Sequence, residues 1–386
     1  MHIRSRATTR VTLSALVVSV VALSGCGTDD SKDAHAPGGE PIAVTYDGGI
    51  YVLNAMTLAQ TGEVKLDGFN RLNPAGDDRH LMVSTKDGFR VLDAFDAEFT
   101  GAEFPAAEPG HVVRHAGRTV LFADGTGEVT SFDPEKLGSG KPPTKVYRAA
   151  APHHGVAVEL ANGDLVVTLG TEDKRVGIAV LDKNRTEIAR NEDCPGVHGE
   201  ATAKDEAIVI GCQTGVLVYR NGVITKVTSP TPYGRIGNAA GSAASPIVLG
   251  DYKQDKDAEL ERPQQISLID TTTGALRLVD LGTSYTFRSL ARGQQGEALV
   301  LGTDGRIHVI DPVAGTVTRT IPVIDSWQEP LKWQQARPAL FVRGGTAYVS
   351  DPVTKKVHRI DLATGTVTAT TTLAAAPNEL SGVTGH

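Results

Sequence analysis

The chain has 386 residues, 38 Lys and Arg against 45 Asp and Glu, a formal net charge of −7, and only 5% aromatic residues. This acidity excludes binding of nucleic acid or an anionic membrane surface through a basic patch, because both would repel the chain. The scarcity of aromatics, with Trp327 and Trp333 the only tryptophans, argues against a sugar-stacking surface.

In chain order, the first signal is a leader. Arg4, Arg6 and Arg10 precede an apolar run over residues 11–23 that is too short to span a bilayer comfortably. Leu23-Ser24-Gly25-Cys26 resembles a bacterial lipobox. This implies cleavage before Cys26, diacylglycerol on its thiol, and a mature protein that is extracytoplasmic and lipid-anchored to the cell membrane. Removing residues 1–25 leaves 35 Lys and Arg against 45 Asp and Glu, a charge of −10. Lipid, not basic residues, then provides the only membrane contact. Residues 26–40 carry the lipidated cysteine and a polar stretch, GTDDSKDAHAPGGE, that reads as a flexible tether. Residues 41–386 form a single domain.

That domain repeats short apolar strands, turn residues and a strand ending in two apolar residues and Asp. The endings are VLN (52–54), VLD (91–93), SFD (131–133), VLD (180–182), LVY (217–219), LID (268–270), VID (309–311) and RID (359–361), spaced 37 to 51 residues apart. A period of about 40 to 50 residues with several strands each predicts an all-β chain folded as a β-propeller of four-stranded blades. Hairpin turns at Asp87-Gly88, Asn162-Gly163, Asn221-Gly222 and Asp304-Gly305 fit such meanders. Inner strands open at NRLNPA (70), GHVVRH (110), HHGVAV (153), GVHGEA (196), GRIGNA (234), TFRSLA (286) and RPALFV (337), and residues 41–66 supply three more strands. The tail ELSGVTG (379–385) is expected to close the ring as the innermost strand of the first blade. The count is then eight blades, with seven as the alternative. DTTTG (270–274) and DLATG (361–365) resemble the repeat of quinoprotein-type propellers without its closing tryptophan, which supports the fold and not a quinone. The charged insert YKQDKDAELERP (252–263) reads as a solvated loop.

Two sets of residues carry chemistry. Cys194 precedes one strand (about 197–203) and Cys212 ends the next (about 207–212), so a hairpin brings them together as an expected disulfide, the alternative being a pair of thiolate zinc ligands. The second set is histidines. Aligning the inner strands places His111, His154 and His198 in the same slot of three consecutive blades, where they converge at one mouth of the central channel. Neutral imidazoles suit zinc, with a carboxylate or water completing a tetrahedron. Glu200 and Glu379 are candidate carboxylates, and the glycines after His154 and His198 leave room for ring and ion. His153 and His115 are second candidates, since a one-residue slip exchanges the residues facing the channel. His80, His308, His358 and His386 read as structural.

GHVVRH, HHGVAVEL, DCPGVHGEA and PNELSGV resemble the extracytoplasmic zinc metallochaperone family of AztD type, from about residue 45 to the end. The resemblance implies a propeller that binds zinc outside the cytoplasmic membrane on His111, His154 and His198, and hands it to the solute-binding protein of a zinc ABC transporter. The chain departs from the family in its His-rich segments: the tether has only His35, and residues 93–109 have no histidine. Two other readings stay open. A channel-mouth metal can activate water, as in a hydrolase or lactonase with Glu200 as base, or a metal-free propeller can act as an interaction platform in the envelope. The expected state is a monomer.

Overall fold

The computed structural model describes residues 39–384; the leader, Cys26, most of the tether and His386 lie outside them. No helix among the described residues is long and apolar enough to cross a membrane. Eight antiparallel four-stranded sheets follow one another along the chain, the fifth with one extra short strand paired in parallel. This is an eight-bladed β-propeller. Blade 1 takes its three outer strands from residues 42–66 and its innermost from Leu380–Gly382, which pairs with Ile42–Tyr46 in the register Ile42 to Gly382 and Val44 to Leu380. Blades 2 to 8 cover residues 71–105, 109–148, 157–191, 198–228, 239–280, 290–322 and 340–372.

The repeated strand ending has a local cause. Asn54, Asp93, Asp133, Asp182, Asp270, Asp311 and Asp361 each end or follow the third strand of a blade. Each side-chain Oδ1 accepts backbone N–H groups two or more residues ahead, as Asp93 does from Phe95 (2.9 Å) and Asp96 (3.0 Å). A short carboxylate can hold a turn in this way where a longer side chain cannot. DTTTG and DLATG are two such turns, with Gly274 and Gly365 at φ of 72° and 71°.

The core lies between blades. Eight apolar clusters each join one blade to the next. One packs Val158, Val166 and Ile178 of blade 4 on Ile208, Ile210 and Leu217 of blade 5, and another packs Tyr348 and Val357 of blade 8 on Ile42, Val44 and Leu53 of blade 1. The closing seam also carries polar bonds. Arg343, on the inner strand of blade 8, donates to the carbonyls of Glu40 (2.6 Å), Pro41 (3.3 Å) and Val383 (2.8 Å), so one guanidinium grips both ends of the described chain.

The inner strands are shorter than the sequence suggests. HHGVAV becomes a strand only at Ala157, because the Val156 N–H is taken by the Thr168 hydroxyl (3.0 Å), which also bonds the His153 ring. GRIGNA splits into Gly234–Arg235 and Ala239–Ala240. The insert at 252–263 is only partly a solvated loop. Residues 254–257 are exposed, but Tyr252 is buried and Lys253 is bridged to Arg235.

Candidate metal centre

His111, His154 and His198 come together: their potential ligand atoms lie within 4.8 Å of one another, and their ring centroids are 4.9 to 5.5 Å apart. They reach one point because each leaves the regular ladder. His111 sits where the first strand of blade 3 slips register between Pro109 and Val112, and His198 where blade 5 slips between His198 and Glu200. Such bulges re-aim a side chain. His154 precedes its strand altogether.

The glycines serve a different end from the one expected. Gly199 is at φ 72°, and a Cβ there would stand 2.5 Å from the Gly237 carbonyl; a Cβ on Gly155 would stand 2.3 Å from the Phe122 ring. They permit the bulge and a close blade contact, not space for an ion. Gly110 does the same for a carboxylate, since a Cβ there would lie 2.2 Å from Asp124 Oδ1.

That carboxylate is the residue the sequence reading missed. His154 Nδ1 donates to Asp124 Oδ2 (2.5 Å), and Asp124 Oδ1 accepts the Gly155 N–H (3.3 Å). Asp124 follows a strand of blade 3 and serves a histidine of blade 4, so its role is visible only once neighbouring blades are placed. His198 Nδ1 donates to the Gly237 carbonyl (2.6 Å). Both histidines therefore present bare Nε2 lone pairs, and these face each other at 3.0 Å. Two acceptors at that distance require a cation or shared proton between them. Tetrahedral zinc with Zn–N of about 2.0 to 2.1 Å needs a ligand separation of about 3.3 Å, so the donor set fits zinc, with second-shell bonds of the usual kind. His111 Nδ1 lies 3.4 Å from Glu200 Oε2, which brings Glu200 to the edge of the cluster.

The other candidates are elsewhere. His153 is buried, with Nδ1 bonded to the Ala151 carbonyl (2.9 Å) and Nε2 to the Thr168 hydroxyl (3.1 Å), so neither nitrogen is free for an ion. His115 Nε2 pairs with Glu206 (2.9 Å). Glu379 is held by Arg288 Nη2 at 2.6 Å and joins no metal cluster. His80, His308 and His358 bond Asp77, Asp304 and Thr370. Cys194 and Cys212 are joined in a buried disulfide, which removes the thiolate-ligand alternative.

Three expected results follow from these contacts. Replacing Asp124 with Asn leaves the histidines in place but weakens their orientation, and zinc affinity should fall about 10- to 100-fold by competitive titration. The disulfide closes a separation of 18 residues at the base of the hairpin that presents His198. The C194S/C212S double variant should lose about 3 kcal/mol of stability in chemical denaturation.

The third result concerns pH. Burial, then the neighbouring His111 and His154 rings and the Arg235 charge, pull the His198 pKa well below the ordinary 6.5, with the Gly237 carbonyl opposing. In the unfolded chain this ring takes a proton near pH 6.5, while in the fold it stays neutral to lower pH, so in that window the unfolded state holds more protons. The metal-free protein should lose stability as pH drops below about 6.5, by at most about 1.4 kcal/mol per unit from this group. Denaturation at pH 7.5 and 5.5, with His198→Gln as the flatter control, checks it.

The histidines line a cavity of about 550 Å³ at the channel mouth, which is also lined by Arg71, Arg235, Lys253 and Trp333. Trp333 is half exposed and packs edge-on against Phe69, with ring centroids 5.0 Å apart. The volume is in the range of small-ligand sites.

No protein-family model matches the chain. It is similar to the zinc chaperone AztD of Citrobacter koseri, at 26% identity over 269 residues, covering 67% of this chain and 62% of that protein. The solved structure of apo AztD from Citrobacter koseri superposes with a TM-score of 0.77 at 22% identity, over 89% of this chain and 96% of the other. A further crystal structure of Citrobacter koseri AztD gives 0.75 at 21%, over 90% and 98%. Dihydro-heme d1 dehydrogenase NirN gives 0.59 at 12%, over 88% and 74%. The structural likenesses establish the fold.

Proposed function

We propose that the protein is a zinc carrier of the cell envelope: lipid-anchored through Cys26, extracytoplasmic and monomeric, it binds one zinc ion on His111, His154 and His198 and delivers it to the solute-binding protein of a zinc ABC transporter. The observation that carries the reading is the convergence of the His154 and His198 Nε2 atoms to 3.0 Å beside His111, each ring fixed by a partner on its Nδ1. The similarity to a protein named a zinc chaperone supports the same metal and a non-enzymatic role. The buried disulfide fits an oxidising compartment.

Zinc is here a cargo. Three imidazoles leave it an open position, and the exposed edge of His154 lets an incoming ligand exchange with one of them. The test is metal analysis of protein purified without chelator or His-tag, followed by zinc titration. One ion per chain is expected, and less than about half an ion overturns the reading. Mixing the loaded protein with the metal-free solute-binding protein of a zinc ABC transporter should move the zinc across faster than it dissociates into a chelator.

A further inference from the structure

The cavity that holds the histidines has a cationic wall. Arg235 and Lys253 stand directly opposite each other in an isolated antiparallel bridge: the Arg235 N–H donates to the Lys253 carbonyl at 2.8 Å, and the Lys253 N–H to the Arg235 carbonyl at 2.9 Å. Like charges in directly opposed positions destabilise a pair. Of the acids on the cavity, Glu200 lies against His111 on the histidine side, and those next to the pair carry other hydrogen bonds. Asp251 Oδ1 accepts the Gly237 and Asn238 N–H groups (2.7 and 3.0 Å), the two oxygens of Glu261 accept the Gln254 and Asp255 N–H groups (2.7 and 3.0 Å), and Glu329 holds Arg337 (2.5 Å). Among the described residues, neither the Arg235 nor the Lys253 side chain makes a hydrogen bond or a close ion pair; their charges act at longer range on the Asp251 carboxylate and, for Lys253, on Glu329. Arg71, on the same cavity, adds a third cation, its Nε 3.7 Å from Glu379.

We propose that Arg235 and Lys253 form a carboxylate-binding subsite, which holds an external carboxylate beside the histidines so that one of its oxygens takes the fourth position on the bound metal. The second half rests on the zinc reading above; the first does not. The planar guanidinium fork matches a carboxylate, and carboxylate oxygen is an ordinary fourth ligand to zinc on three imidazoles. The carboxylate comes either from a free dicarboxylate or from an acidic side chain of a protein partner. In the second case the incoming carboxylate is itself the first ligand of the receiver.

The experiment titrates the metal-free protein with succinate and, separately, with a short poly-glutamate peptide, following Trp333 fluorescence against a Trp327→Phe background. Saturable binding of at least one probe is expected, succinate alone marking a free dicarboxylate and the peptide alone a partner's side chain. Lys253→Glu turns the like-charged pair into an opposite-charged one, so the fold should be unharmed or more stable while probe affinity falls at least tenfold. Binding of neither probe, or equal binding by wild type and Lys253→Glu, overturns the proposal. The H111A/H154A/H198A variant separates the two readings: without metal it should bind the probe as wild type does, and zinc should raise probe affinity in wild type only. If zinc binds neither protein, the metal reading fails while the subsite stands on the metal-free titrations.

Discussion

In the H111A/H154A/H198A variant, zinc binding at the channel mouth should disappear, with stoichiometry in a calorimetric or competitive titration falling from one ion to none. The arrangement makes the loss steep. Each histidine comes from a different blade, and among the described residues no fourth histidine or cysteine lies in the cluster to replace one that is removed. Single replacements should already weaken binding more than about 100-fold, since even removing a group that only holds a ligand in place costs about 10- to 100-fold. His198→Ala should be the most severe, because it removes the ligand anchored to the Gly237 carbonyl and one of the two facing lone pairs. His153→Ala, by contrast, should leave affinity unchanged and cost only stability, as both its nitrogens serve the fold. An unchanged affinity in the triple variant would place the metal elsewhere.

The largest single-residue loss of stability should come from Glu379→Gln, about 3 to 5 kcal/mol in chemical denaturation. Glu379 and Arg288 are both almost fully buried and meet at 2.6 Å, with Arg71 at 3.7 Å from the same oxygen. Burial already pulls the Arg288 pKa down to about 10, against the support of Glu379. Removing the carboxylate charge while keeping its shape leaves the buried Arg288 charge without an opposite one, its remaining partners being the Asn378 carbonyl and side-chain oxygen, which is costlier than the pair is valuable. The substitution also acts at the seam, because the Glu379 N–H bonds Thr45 Oγ1 (2.9 Å) and the closing strand begins at the next residue. A loss below about 1 kcal/mol would show that the guanidinium finds water.

The fold was legible because its repeat is written in chemistry local to each turn. An Asp or Asn that accepts the N–H groups ahead of it recurs at the end of the third strand in seven of eight blades, and LVY is the exception where Tyr219 lies inside its strand. The closing strand was legible for a related reason, since the first unit lacked one strand and the tail had the matching pattern. The three histidines were found because repeats superimpose, and equivalent positions in a ring share a radius. Asp124, Arg235 and Lys253 were not found because they act across blade boundaries or through a bridge between an insert and a loop, which no period in the sequence marks. The choice between His153 and His154 was undecidable by alternation alone; Thr168, on the neighbouring strand, decides it.

The shared blade 1 has a consequence for how the ring closes. The residues that supply the three histidines and Asp124 all lie between 109 and 202, so the ligand set needs only blades 3 to 5 and none of the closing strand. Blade 1 is different: Ile42–Tyr46 takes its inner neighbour from Leu380–Gly382, at the far end of the ring in chain order. Until residues 380–382 dock, that strand carries an unpaired edge, a template that another copy can occupy with its own 380–382 segment. Exchange of this segment between two copies would give a dimer in which each protomer closes the other, the same pairing made between chains instead of within one.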